Sequence, residues 1–140
     1  MKPLAFGSSL LTSVAVVLTA SFAAAQSLEH TKDSLGTVKA NVDGGKAVLI
    51  DVREPTEWNA GHLAQAILKP LKKLGERGGD PATVMKDVPK EKIVYCHCKA
   101  GGRALMAARI LKDLGYDVRP LKPGFAELLE AGFPKAKDGT

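Results

Sequence analysis

Three apolar runs and one mixed stretch divide the chain, and the segments between them carry apolar residues at helical spacing. Ala47-Val48-Leu49-Ile50, Ala66-Ile67-Leu68, Ile93 to Cys96 and Asp117 to Leu121 read as strands. The first is continuous, without alternation, as expected of a strand covered on both faces in a parallel sheet. After a polar lead-in from Gln26 to Lys32, Leu35, Val38 and Val42 recur at helical intervals, and Gly44-Gly45 follow where a C-terminal cap would lie. A short helix over 33–42 is therefore predicted. Pro55 suits the first turn of a helix through Glu57 and Trp58 that Gly61 ends. The polar, Gly-rich stretch from Lys72 to Pro81 reads as an exposed loop, and Asp80 as the cap of a short helix containing Val84 and Met85. Leu105, Ala108, Ile110 and Leu111 place a helix up to Leu114, and Phe125, Leu128 and Leu129 a last one that Gly132 stops. Lys135 to Thr140 reads as a frayed tail. Strands alternating with short helices predict an α/β domain with a mainly parallel sheet, whose ligands bind outside the carboxyl ends of the strands.

The N-terminus changes this picture. Met1-Lys2-Pro3, an apolar stretch from Leu10 to Leu18 and Ala23-Ala24-Ala25 match a secretory signal peptide over 1–25, cut after Ala25. Its apolar part is too short for a membrane span of ~20 residues, so no stable membrane insertion is expected after cleavage. The expected location is periplasmic or secreted. The domain itself is expected over 28–138. Loss of the leader removes only Lys2 from the formal charge of +5. The remaining mild positive excess suits small anions, and without a basic stripe interleaved with aromatics no nucleic-acid partner is expected. Two cysteines do not make a disulfide framework.

Both cysteines lie in the stretch that concentrates the chemistry, Tyr95-Cys96-His97-Cys98-Lys99-Ala100-Gly101-Gly102-Arg103-Ala104. It reads as strand, tight loop, helix. Gly101 and Gly102 allow the amides from Lys99 to Arg103 to curl around the sulfur of Cys98 at a helix N-terminus. Such a nest, with the charges of Lys99 and Arg103, should favour a thiolate and make Cys98 a nucleophile. The competing reading is a buried packing thiol at an ordinary strand–helix junction. The strand exits Asp51-Val52-Arg53 and Cys98 to Arg103 should share one edge of the sheet.

In these residues the chain resembles the rhodanese-like, single-domain sulfurtransferases. The resemblance runs through Leu49 to Glu54, Glu57-Trp58, Gly61-His62, the Cys98 to Arg103 loop, Gly124-Phe125 and Ala131-Gly132-Phe133-Pro134. It implies a three-layer fold, with a mainly parallel five-stranded sheet flanked by helices. It also implies that a small anionic donor such as thiosulfate passes a sulfane sulfur to Cys98, and that the persulfide hands it to a thiophilic acceptor such as cyanide or a thiol. The substrate-binding loop would be Lys99, Ala100, Gly101, Gly102 and Arg103, with no cofactor and no metal. Phosphatases of similar architecture separate Cys from Arg by five residues. Here four separate Cys98 from Arg103, and the smaller ring favours sulfur over phosphate.

Around this core, several roles stay open. Asp51 and Arg53 either brace the loop from beneath or cap the strand end. Lys99 either meets the anionic donor or is an ordinary solvated side chain, while Arg103 shapes the loop or its entrance. His62 and His97 read as hydrogen-bonded structural histidines, Trp58 as core or rim packing, and Cys96 as a buried thiol. Two other functions compete: a non-catalytic rhodanese-like binding module, and a thiol redox protein using Cys96 and Cys98. The oligomeric state is not legible.

Overall fold

A computed structural model describes residues 2–4, 28–75 and 78–138. Apart from residues 2–4, the expected leader lies outside the described residues. The elements are α1 (Leu35–Asp43), β1 (Ala47–Asp51), α2 (Pro55–Asn59), β2 (Ala66–Leu68), α3 (Leu71–Leu74), α4 (Pro81–Val84), β3 (Ile93–His97), α5 (Gly102–Asp113), β4 (Asp117–Pro120) and α6 (Phe125–Glu130). The strands form one parallel sheet in the order β2-β1-β3-β4. Among the described residues none of the helices is long and apolar enough to cross a membrane.

Strand alternation divides the apolar runs between two cores. Ile50, Val94, Cys96 and Val118 point to one face, where Leu71, Leu74 and Met85 and the α5 residues Ala104, Ala107, Ala108 and Leu111 cover them. Leu49 and Tyr95 point to the other, against Val38 of α1 and Leu128 of α6. This double covering explains the continuous Ala47 to Ile50 run and makes three layers. Each fully buried leucine contributes about 1.5–3 kcal/mol of transfer free energy. Local signals set the ends: Ser34 Oγ caps α1 through the Thr37 N–H, and Asp80 caps α4 through Thr83.

The architecture departs from expectation in three places. The sheet has four strands among the described residues, where the resemblance implied five. Among the described residues, the segment before α1 runs beside β4 but makes one main-chain bond to it, Thr31 N–H to Pro120 C=O at 2.8 Å. Pro120 has no N–H to return, so a ladder does not propagate there. The start of the predicted loop at Lys72 is instead the helical turn α3, because Leu71 and Leu74 are both buried against α5. The start of the tail is held and not frayed: Leu63 pairs with Lys135 in an antiparallel bridge, and Ala136 N–H donates to the His62 carbonyl.

Candidate active site

β3 ends at His97, and Cys98 is the first residue beyond it, with 1% of its surface exposed. Three residues on, Gly101 is the N-cap of α5 and takes the left-handed conformation, φ 91° and ψ −18°. That turn aims the Gly101 N–H at the Cys98 sulfur, 3.1 Å away. A side chain there is excluded by more than the dihedral: a Cβ would come within 2.7 Å of His30 Nε2 and 3.0 Å of the Lys122 carbonyl oxygen. The expected ring of donors is thus one hydrogen bond to the sulfur itself. The amides of Gly102 and Arg103 open α5, where main-chain N–H groups have no partner one turn earlier.

The opposite wall of the loop is the start of α6. Phe125 N–H donates to the Cys98 carbonyl at 3.1 Å. A Cβ on Gly124 would lie 1.8 Å from the Lys99 carbonyl oxygen, so only glycine fits. Beside this contact opens a cavity of about 490 Å³ lined by Arg53, Glu57, Gly61, Lys99, Phe125 and Glu127, among others. Lys99 is exposed and its ammonium makes no ion pair among the described residues. It is therefore the cation at this mouth that is free to meet an anion.

Asp51 and Arg53 lie at the same sheet edge as Cys98 and pair with each other; the Arg53 main-chain N–H also donates to Asp51 Oδ1 at 2.9 Å, which closes the end of β1. Both are buried, at 0% and 5% exposure. Arg53 Nε lies 3.0 Å from each Asp51 carboxylate oxygen, and its terminal nitrogen donates to Oδ2 at 2.7 Å and to the Gly61 carbonyl at 2.9 Å. The guanidinium also sits 4.5 Å from the centre of the Phe125 ring, which links the ion pair to the residue holding the Cys98 carbonyl. His97 pairs in register with Asp51 and is fully buried; burial lowers its pKa and favours the neutral ring. Its Nδ1 lies 3.4 Å from the Cys98 carbonyl oxygen, while Nε2 has no hydrogen-bond partner among the described residues and sits 3.7 Å from Asp51 Oδ2.

Arg103 is held by a partner that the sequence did not single out for a role. It makes a two-pronged pair with Glu57, at 2.6 and 2.8 Å. The Arg103 hydrogen bonds are the main cause that lowers the Glu57 pKa to about 2. Glu57 also accepts the Glu54 N–H in a capping box, so it ties the N-terminus of α2 to the first turn of α5. Cys96, by contrast, donates its S–H to the Ala104 carbonyl at 3.4 Å, and burial pushes its thiol pKa up. Both cysteines are free.

Trp58 and His62 stack their rings at 3.6 Å, His62 Nδ1 lies 3.0 Å from the Trp58 carbonyl oxygen, and both line a second cavity, with Lys135, rather than the one beside Lys99. Among the described residues no group of three or more His, Cys, Asp or Glu side chains converges as a metal site. Sequence reasoning missed two contacts of the loop, Glu57 on Arg103 and His30 on Gly101. The spacing of Glu57 from the N-terminus of α2 was a usable signal, as a capping residue after Glu54-Pro55. For His30 no local signal exists.

A family model described as the rhodanese-like domain matches residues 34–131. Among curated proteins, the HTH-type transcriptional regulator Rv0324 of Mycobacterium tuberculosis is 34% identical over 92 residues, covering 66% of this chain and 38% of that protein. The adenylyltransferase and sulfurtransferase UBA4 of Candida glabrata is 34% identical over 73 residues, 50% of this chain and 17% of that protein. The chain therefore spans well under two thirds of these relatives. Among solved structures, the human single domain sulfurtransferase TSTD1 superposes with a TM-score of 0.59 at 27% identity, covering 70% of this chain and 94% of that one.

Proposed function

Because the chain belongs to the rhodanese-like domain family, a family of sulfurtransferase type, we propose that it moves a sulfane sulfur from a small anionic donor such as thiosulfate to a thiol or cyanide. In the first step the Cys98 thiolate attacks the outer sulfur of thiosulfate. A new S–S bond forms, the donor's S–S bond breaks, and its electron pair leaves with sulfite. In the second step the acceptor attacks the outer sulfur of the Cys98 persulfide, and the Cys98 thiolate departs unchanged. Lys99 draws the donor to the mouth, and the Gly101 amide with the opening amides of α5 stabilises the anionic sulfur. Asp51 and Arg53 act as support only.

The observation that carries this reading is the Gly101 N–H on the Cys98 sulfur at a helix N-terminus. The protein is proposed to work in the periplasm or outside the cell once residues 1–25 are removed, and to bind no nucleic acid. One observation favours the second reading, a binding module without turnover: Cys98 is buried, with 1% of its surface exposed, so a donor must displace neighbouring side chains to reach it. Turnover separates the two. Cyanide-dependent release of thiocyanate from thiosulfate is expected for the wild type and for Cys96→Ser, and is expected to be lost in Cys98→Ser. Absence of turnover in the wild type, with the anion still bound, would select the binding module.

A further inference from the structure

His30 lies before the residues that match the family model, in a segment that crosses the reactive loop. A carbonyl oxygen only accepts hydrogen bonds, so His30 Nε2–H is the donor to the Gly101 carbonyl, 3.0 Å away. Gly101 is thus gripped on both sides of its α-carbon: its N–H points to the Cys98 sulfur, and its carbonyl is held by His30 and by Leu105 N–H. The segment is anchored on each side of His30. Leu28 packs on the α5 face of the sheet. Thr31 N–H bonds to Pro120, and Asp33 accepts from Tyr95 Oη at 2.6 Å and Arg119 at 2.9 Å.

We infer that His30 is a positioning residue for Cys98, locking the left-handed Gly101 so that its amide stays on the sulfur. The inference rests on the reading of Cys98 as the sulfur carrier. Without His30, the Gly101 carbonyl keeps only its helical partner, and the residue gains freedom to rotate its amide off the sulfur. Glutamine can supply an N–H donor in place of the ring; leucine fills the space without one.

The test measures two quantities on the full chain: alkylation of Cys98 by iodoacetamide at a fixed alkaline pH, located by fragment mass spectrometry, and kcat and KM for transfer from thiosulfate to cyanide. His30→Ala and His30→Leu are expected to slow alkylation of Cys98 and to lower kcat roughly tenfold with KM within about twofold. His30→Gln is expected to restore both rates to within about twofold of the wild type. If His30→Leu equals the wild type in both rates, or His30→Gln falls as far as His30→Leu in a folded protein, the inference is overturned. If the alkylation pattern holds but no variant, nor the wild type, transfers sulfur, the positioning stands and the sulfur-carrier reading fails.

Discussion

Cys96 and Cys98 are two residues apart and equally hidden from solvent, at 0% and 1% exposure, yet their sulfurs hydrogen-bond in opposite senses. Cys96 donates a hydrogen bond to a carbonyl inside α5; Cys98 accepts one from the amide at the N-cap of that helix. A donating thiol in an apolar core is held protonated, because burial disfavours its anion. A sulfur that accepts at a helix N-terminus meets the positive end of the helix dipole. Burial does not separate the two. What separates them is the end of β3: one sulfur lies within the strand and under the helix, the other just past it, where Gly101 turns the chain.

The largest expected effect comes from the buried Asp51–Arg53 pair at the same sheet edge. Asp51→Asn leaves Arg53 charged, buried and short of its partner, which should destabilise the protein by about 3–5 kcal/mol, read as a lower denaturant midpoint. Because Arg53 leans on Phe125 and Phe125 holds the Cys98 carbonyl, hydrogen exchange should rise at Cys98 to Gly102 before it rises at Cys96. Equal increases at both would break the contrast. Next in size, Gly101→Ala places a side chain where φ is 91° and His30 already stands. Sulfur transfer should fall about 100-fold, with a stability loss of about 1–2 kcal/mol, measured by steady-state kinetics and melting. Unchanged transfer would mean that the Gly101 amide does no work on the sulfur.

The smallest effect concerns the entrance. Arg103 lowers the folded-state pKa of Glu57 to about 2, below its unfolded value of 4.5. The unfolded chain therefore binds the proton first as pH falls. The stabilisation is full above about pH 4.5 and is lost as pH drops toward 2. Since the pair is roughly one-third exposed, Glu57→Gln should cost under about 1 kcal/mol and flatten this acid limb of the stability curve. A variant as acid-sensitive as the wild type over that range would assign the limb to other carboxylates.

Much of this arrangement was legible because it is local. Apolar runs flag strands, Gly44 and Gly132 flag helix ends, and the Cys98 to Arg103 spacing flags the loop, each within a few residues. Contacts made across the fold leave no such mark. Glu57 and Arg103 are 46 residues apart, His30 and Gly101 are 71 apart, and each pair is created only when the sheet assembles. The helical turn α3 escaped because four residues are too few for periodicity, and its two leucines become informative only once α5 is in place. The fifth strand was implied by family likeness alone. Here Pro120 on the sheet edge stops the first segment from pairing beyond one bond.

The central claim is that the transferred sulfur rides on Cys98 and not on its neighbour. Wild-type protein treated with less than one equivalent of thiosulfate, without acceptor, can be fragmented across residues 96–98 and the added sulfur located by mass. The account predicts one extra sulfur on Cys98, discharged when cyanide or a thiol is added. Sulfur found on Cys96, or turnover with no adduct on either cysteine, would contradict it.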